Sequence, residues 1–323
     1  MAKILIFDAF REKHIEAIKA AIGVNHEVMA LSPDSDEITL KDALKTVDIV
    51  VGQPPLHLLQ EPEVNCPTLK FIQMTWAGTD ICTRAAMSFP KERILLANAS
   101  GTYGMVMSQF VIGMTLAIML NFKKYHDQQQ ERVWLRQGPI KSLDCAKVLI
   151  YGAGDIGSHT AKRLQGFDAY TIGVCRNTSE RRECFNELCT LEDSEKYLPE
   201  ADVVICCIPN SEQTTGFMDD RRLGLMKKGA IIVNVGRGNF IDCMALNDKL
   251  NDGHLWGAAL DVTNPEPLPE DHPLWANPRC MITPHASGVA FEHLPETEDL
   301  LCNLACENLG RYLSGGEIKN RVF

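Results

Sequence analysis

The chain has 323 residues, 45% of them apolar and 23% charged, which is enough for a full-sized core and for more than one domain. Its net charge of -10 and pI near 5.4 weigh against nucleic acid or an anionic membrane as a partner, but not against a small anionic substrate in a local cationic pocket. Its 12 cysteines are scattered without a CxxC pair, a pattern of reduced core thiols rather than of a zinc site or a secreted disulfide framework.

The N-terminus passes from Met1-Ala2-Lys3 straight into Ile4-Leu5-Ile6-Phe7, too short and too soon charged for a signal peptide, and predicts a first strand. The longest apolar stretch, 110–120, is about half a membrane span and predicts a buried helix, so the chain is expected to be cytoplasmic. Strand-like runs fall at 3–8, 26–31, 48–52, 69–75 and 93–97. A hinge follows at Ala99-Ser100-Gly101-Thr102-Tyr103-Gly104, and then one long helix pattern over 105–130. A second series of strands begins at Val148 and continues at 170–174, 202–208, 230–235, 256–262 and 279–282; helical character then runs from Gly288 through Arg311. Strands alternating with helices predict α/β layers around parallel sheets. The expected division is a first domain over 1–98 and a second over 99–289.

The most specific local signal is Gly152-Ala153-Gly154-Asp155-Ile156-Gly157, set between the apolar run 147–151 and a helix-like stretch over 158–165. A strand feeding a glycine-rich turn feeding a helix is the phosphate-binding corner of a Rossmann unit. Gly152 permits the tight turn, Gly154 lets backbone approach a pyrophosphate, and Gly157 lets helix and strand pack closely. The free N–H groups and positive end of the helix then hold the anion. An NAD-specific unit usually carries an acid near the end of the next strand, for the ribose 2′-hydroxyl. Here that place reads Cys175-Arg176-Asn177-Thr178-Ser179. An arginine followed by small amide and hydroxyl residues suits a 2′-phosphate, so NADP(H) is expected to be preferred and NAD(H) to be usable.

Three later strand ends carry candidate chemistry, where open α/β sheets bind ligands. Asn234-Val235-Gly236-Arg237-Gly238 offers a guanidinium whose planar fork matches a carboxylate. Asp261-Val262-Thr263-Asn264-Pro265-Glu266-Pro267 and Thr283-Pro284-His285-Ala286-Ser287 place a carboxylate and a histidine on neighbouring loops, a general acid–base pair in outline.

With these segments in this order, the chain resembles the D-isomer-specific 2-hydroxyacid dehydrogenases, a family that includes glyoxylate/hydroxypyruvate reductases, along nearly its whole length. The matching parts are GAGDIG, the run 202–209, and the NVGRG, DVTNPEP and TPHAS segments. The resemblance implies a flavodoxin-like substrate domain over 1–98, completed by 290–323, a Rossmann domain, and an active site in the cleft between them. It places the catalytic residues on Arg237, Glu266 and His285. It places cofactor contacts on Gly152, Gly154, Asp155, Ile156, Gly157, Arg176, Asn177, Thr178, Pro209, Thr214, Val235 and Gly236, and on Asp261 for the nicotinamide carboxamide. The stretch Thr75-Trp76-Ala77-Gly78-Thr79-Asp80 resembles the loop whose amides hold the substrate carboxylate, pointing to Ala77 and Gly78. Trp76 either narrows the pocket toward small 2-oxoacids or packs at the domain interface. Ser108-Gln109 departs from the acidic residue that the family often has there.

The reaction these expectations describe is reduction of a small 2-oxoacid to a D-2-hydroxyacid, and its reverse, by a homodimer without nucleic-acid or membrane partners. The alternatives are a formate dehydrogenase-like enzyme and a nucleotide-sensing corepressor-like protein.

Overall fold

A computed structural model describes residues 1–53, 55–60, 66–79, 93–180 and 182–323. The chain divides into two units, Met1–Tyr103 with Val289–Phe323, and Gly104–Gly288.

Unit 1 is built on β1 (Lys3–Phe7), β2 (Glu27–Leu31), β3 (Ile49–Gly52), β4 (Phe71–Gln73) and β5 (Leu95–Ala97), all parallel, in the order β2-β1-β3-β4-β5. The inner strands are continuous apolar runs because helices cover both faces of such a sheet. Its described helices are α1 (Glu12–Ile22), α2 (Glu37–Leu44), α3 (Leu56–Gln60) and, from the chain's end, α9 (Pro295–Leu313). One core cluster gathers Leu5, Leu44, Val50, Leu69 and Ile72. α9 lies on α1, where Arg11 Nε meets the buried Glu298 Oε2 at 2.5 Å.

Unit 2 holds β6 (Lys147–Tyr151), β7 (Tyr170–Val174), β8 (Glu187–Cys189), β9 (Val203–Cys206), β10 (Ile231–Asn234), β11 (Gly257–Leu260) and β12 (Cys280–Ile282). Their order is β12-β11-β10-β9-β6-β7-β8, again parallel throughout. The order reverses at β6, which pairs with β7 on one side and β9 on the other. That is the switch point at which doubly wound sheets open a crevice beyond the strand ends. The helices are α4 (Gly104–Met119), α5 (Phe122–Gln130), α6 (Asp155–Leu164), α7 (Asp220–Leu225) and α8 (Cys243–Asn251).

Two parallel sheets with covering helices are the α/β class expected from the sequence. Three local expectations need correction. The single helix over 105–130 is two helices bent by 67°. Asn121 sits between them at φ 60°, a left-handed conformation that asparagine tolerates, and its amide donates to Pro139 O at 3.0 Å. Lys123 then anchors α5 through Asn277 O and Cys280 O. The first Rossmann helix starts at Asp155 rather than Ser158. The edge strand β8 had no counterpart among the expected strands, being only three residues long. Among the described residues no single helix is long and apolar enough to cross a membrane.

Candidate functional site

The corner after β6 shows why each glycine stands where it does. Gly152 has φ +102°, and a Cβ there would lie 2.7 Å from Ile208 Cγ2 and 2.9 Å from Cys207 O. A Cβ on Gly157 would sit 1.9 Å from Gly152 O, so α6 can pack on the turn only without one. Gly154 differs: nothing lies within 4 Å of where its Cβ would be. The open side of Gly154 and the N-terminus of α6 directly after it fit a bulky anion, such as a dinucleotide's pyrophosphate. Asp155 turns its carboxylate away to another task, accepting from Gly104 N at 2.7 Å and so fixing the start of α4. Ile156 is half-buried, and its carbonyl accepts from Thr160 Oγ1.

Beyond β7 the side chains of Arg176, Asn177 and Thr178 are exposed. The turn is held by its own residues: Asn177 Oδ1 accepts from Ser179 N at 3.1 Å and Ser179 Oγ at 2.6 Å, and the Cys175 thiol reaches Asn177 O at 3.2 Å. Among the described residues no carboxylate pairs with Arg176. Beyond β9, Thr214 Oγ1 donates to Pro209 O at 3.1 Å and accepts from Ser211 N at 2.8 Å, closing a compact loop. Burial pushes the Cys207 thiol up to about 12, which leaves it protonated and inert beside Gly152.

The turn after β10 is bracketed by one buried side chain. Asn234 Oδ1 accepts from Gly236 N at 3.1 Å, and its Nδ2 donates to Arg237 O at 2.9 Å. Val235 is buried and bonded to Cys206 O. A Cβ on Gly236 would lie 2.7 Å from Ile208 O, and one on Gly238 would lie 1.9 Å from Thr263 O. The NVGRG turn is thereby pressed against both the β9 loop and the DVTNPEP loop. Arg237 has extended backbone and donates from Nη1 to Gly236 O at 2.7 Å.

The last two strand ends form one hydrogen-bonded assembly. Asp261 is only 2% exposed. Its Oδ1 accepts from Thr283 Oγ1 at 2.7 Å and Ala286 N at 2.8 Å, and its Oδ2 from Ser287 N at 3.0 Å. Its own carbonyl accepts from His285 N at 2.9 Å. This grip holds His285 at φ +53°, a strained conformation for a histidine that surrounding bonds must enforce. The ring is fixed from the side, with Nδ1 2.7 Å from Glu266 Oε1. Both side chains remain about half exposed, at 50% and 44%, so the ring is oriented yet reachable.

In unit 1, the loop after β4 carries Trp76, 47% exposed, followed by half-buried Ala77 and Gly78. Asp80, part of the resembling stretch, lies outside the described residues. Ser108 is wholly buried and bonds Met105 O within α4, while Gln109 is exposed. Sequence reasoning gave no role to Asn234 or to Asp8. Asp8 ends β1 as a mostly buried carboxyl that accepts from Thr75 Oγ1 at 2.5 Å, and burial pushes it up to about 6 despite that bond. An acid directly after the apolar run 4–7 is the signal that could have marked it.

Comparison with known proteins places the chain. Residues 112–287 match the model of the D-isomer specific 2-hydroxyacid dehydrogenase NAD binding domain. A glyoxylate reductase of Thermofilum pendens is 30% identical over 77% of this chain and 73% of its own length. A mitochondrial formate dehydrogenase of Solanum tuberosum is 27% identical over 84% of this chain and 74% of its own. The crystal structure of a D-isomer specific 2-hydroxyacid dehydrogenase family protein from Aeromonas salmonicida superposes with a TM-score of 0.86 at 28% identity, covering 100% of this chain and 99% of that one. The glycine corner, the strand order and these matches agree: the chain is an oxidoreductase with a nicotinamide-dinucleotide-binding domain, and it belongs to the D-isomer specific 2-hydroxyacid dehydrogenase family.

Proposed function

We propose that the protein reduces a small 2-oxoacid to a D-2-hydroxyacid, reversibly, with NADPH preferred over NADH. The observation that carries this reading is the His285 ring, hydrogen-bonded to Glu266 on a loop locked by Asp261. The bound nicotinamide supplies a hydride to the carbonyl carbon. His285 gives a proton from Nε2 to the carbonyl oxygen while its Nδ1–H remains on Glu266, so hydride and proton together complete the hydroxyl. Arg237 grips the substrate carboxylate and polarises the carbonyl through its planar fork. Negative charge builds on that oxygen only in the transition state, where these donors act most strongly. The amides of Ala77 and Gly78 are assigned to the substrate carboxylate, and Trp76 to limiting substrate size.

The N-terminus of α6, with Gly152, Gly154, Asp155, Ile156 and Gly157, is assigned to the pyrophosphate, with Asp155 acting through its backbone. Arg176, Asn177 and Thr178 are assigned to the 2′-phosphate; Pro209, Thr214, Val235 and Gly236 to the rest of the dinucleotide. A carboxylate has about four acceptor sites. Asp261 uses three of them on Thr283, Ala286 and Ser287, which leaves room for one carboxamide N–H. The exposed run Val133, Trp134 and Leu135 supports a homodimer formed through unit 2. The free thiols suit a reducing, cytoplasmic compartment.

Formate oxidation is the second reading, motivated by the formate dehydrogenase relative. It releases carbon dioxide and needs no proton donor for an alkoxide, so a Glu–His acid pair has no task in it. Oxidation of NADPH and NADH with glyoxylate, hydroxypyruvate and pyruvate, alongside NAD reduction with formate, separates the readings. Turnover of an oxoacid, fastest with NADPH, is expected. Formate-dependent turnover alone would replace the proposal. Tight dinucleotide binding with no turnover would point instead to a sensing, corepressor-like role.

A further inference from the structure

We propose that Tyr103 and Asn98 are positioning residues for the substrate carboxylate, acting with the Ala99 amide to hold three successive carbonyls of the loop after β4 so that the amides of Trp76, Ala77 and Gly78 point outward. The proposal rests on the 2-oxoacid reading and deepens it. Tyr103 Oη donates to Thr75 O at 2.7 Å. Ala99 N donates to Trp76 O at 3.0 Å. Asn98 Nδ2 donates to Ala77 O at 2.8 Å. In a trans peptide the C=O of one residue and the N–H of the next lie in one plane and point in opposite directions. Fixing the carbonyls of residues 75, 76 and 77 therefore aims the N–H groups of 76, 77 and 78 away from their three donors. No described residue accepts from those N–H groups. Three backbone donors without an acceptor among the described residues, on a loop whose three carbonyls are each bonded, make a preorganised cradle for an anion.

The supports are themselves fixed. Tyr103 is buried, 7% exposed, so its hydroxyl has a defined place. The Asn98 amide is oriented from both ends, because its Oδ1 accepts from Ser100 N at 3.2 Å while its Nδ2 holds Ala77. The Asn98 backbone is bonded in turn to Asn320 O at 3.1 Å. Thr75 is tied a second time through Oγ1 to Asp8 Oδ2. Ordering of this loop is thus distributed over side chains that need not touch substrate.

The test uses Tyr103→Phe, which keeps the ring and removes one hydroxyl, and Asn98→Ala, in the full chain. Each is expected to raise the KM for the preferred 2-oxoacid about tenfold, the scale of one lost hydrogen bond. Turnover number and NADPH dissociation constant should stay within about threefold, since only carboxylate binding is weakened. The 15N order parameters of Trp76, Ala77 and Gly78 should fall from rigid values near ~0.85 toward ~0.6, with β4 unchanged. The order parameters are read without substrate, so a wild type that turns over no oxoacid removes the functional reading and still leaves the loop tested. Unchanged KM with active wild type, or unchanged order parameters in both variants, overturns the inference. A fall in turnover and cofactor affinity together with KM would mean general destabilisation and also overturns it.

Discussion

Of the strand ends of unit 2 to which chemistry is assigned, two are built in opposite ways. The loop after β12 is held by a buried carboxylate that collects three donors, and its histidine is pinned in a strained backbone conformation. The turn after β7 is exposed and closed only by Asn177, Ser179 and Cys175 among themselves. Proton transfer tolerates little error in position, because donor and acceptor must meet at hydrogen-bond distance. A phosphate on an exposed ribose needs only a cation of sufficient reach. On the proposed assignment, the more tightly bonded loop is the one where bonds change, and the exposed turn is the one that tells one cofactor from another.

The sharpest way to break this contrast is at the histidine. His285→Ala should lower turnover by about two to four orders of magnitude, the range for a lost general acid, with dinucleotide affinity unchanged. Near-normal turnover would remove His285 from the reaction. Asp261→Asn comes next. An asparagine oxygen can serve the donors on one side, but its amide meets a backbone N–H on the other, and a buried donor left unsatisfied costs about 1–3 kcal/mol. Turnover should fall by about tenfold or more as the loop relaxes, with a lowered unfolding midpoint to match. Full stability with full activity would show that the grip on residues 283–287 is dispensable.

A carboxylate in unit 1 sharpens the same point. Asp8 also ends a strand and also bonds a loop, through Thr75, but burial dominates and pushes it from 3.8 up to about 6. The folded chain holds this proton more tightly than the unfolded chain does. Its contribution to stability therefore falls as pH rises from about 4 to about 6 and is level above that. At about 1.4 kcal/mol per unit, the change is at most about 3 kcal/mol, less wherever water reaches the carboxyl. Asp8→Asn should gain on the wild type across that window in urea midpoints measured from pH 4 to 7.5. A gap between the two that does not change with pH would show that Asp8 does not titrate there.

Much of this was legible before the fold was known, because the chemistry sits in short segments at strand ends. The glycine corner was readable since two of its glycines answer local steric demands, as the collisions at Gly152 and Gly157 show, while Gly154 has open space beside it. The break at Asn121 was harder to read: nothing in the periodicity of 105–130 marks it, although the switch from apolar to polar at that residue is visible in hindsight. Asp261 was assigned to cofactor alone, because its bonds to Ala286 and Ser287 join segments 25 and 26 residues apart. Asn98 escaped for the same reason, its partner Ala77 lying 21 residues away, and Asn234 escaped although its partners Gly236 and Arg237 are close in sequence. Their work is to hold backbone groups, and no residue pattern announces which carbonyl a side chain will reach.

The exposed turn tests the other half of the contrast. Arg176 stands free of carboxylates among the described residues, so its guanidinium is available to a 2′-phosphate. A hydrogen bond to a charged group is worth about 1.5–3 kcal/mol, so catalytic efficiency with NADPH should exceed that with NADH by about 10- to 100-fold. Because the contact is exposed, the preference should shrink as salt rises. Replacing Cys175 with Asp and Arg176 with Ala should erase or reverse it, since a carboxylate repels the phosphate and accepts from a 2′-hydroxyl. Arg176 is exposed and Cys175 is half-buried with its thiol on Asn177 O, so the unfolding free energy should move by no more than about 1 kcal/mol. Side-by-side kinetics with both dinucleotides decide the matter. Equal efficiencies in the wild type would mean that Arg176 points into solvent and that cofactor choice is made elsewhere. A variant that switched cofactor only by losing stability would mean that the turn after β7 is as constrained as the one after β12.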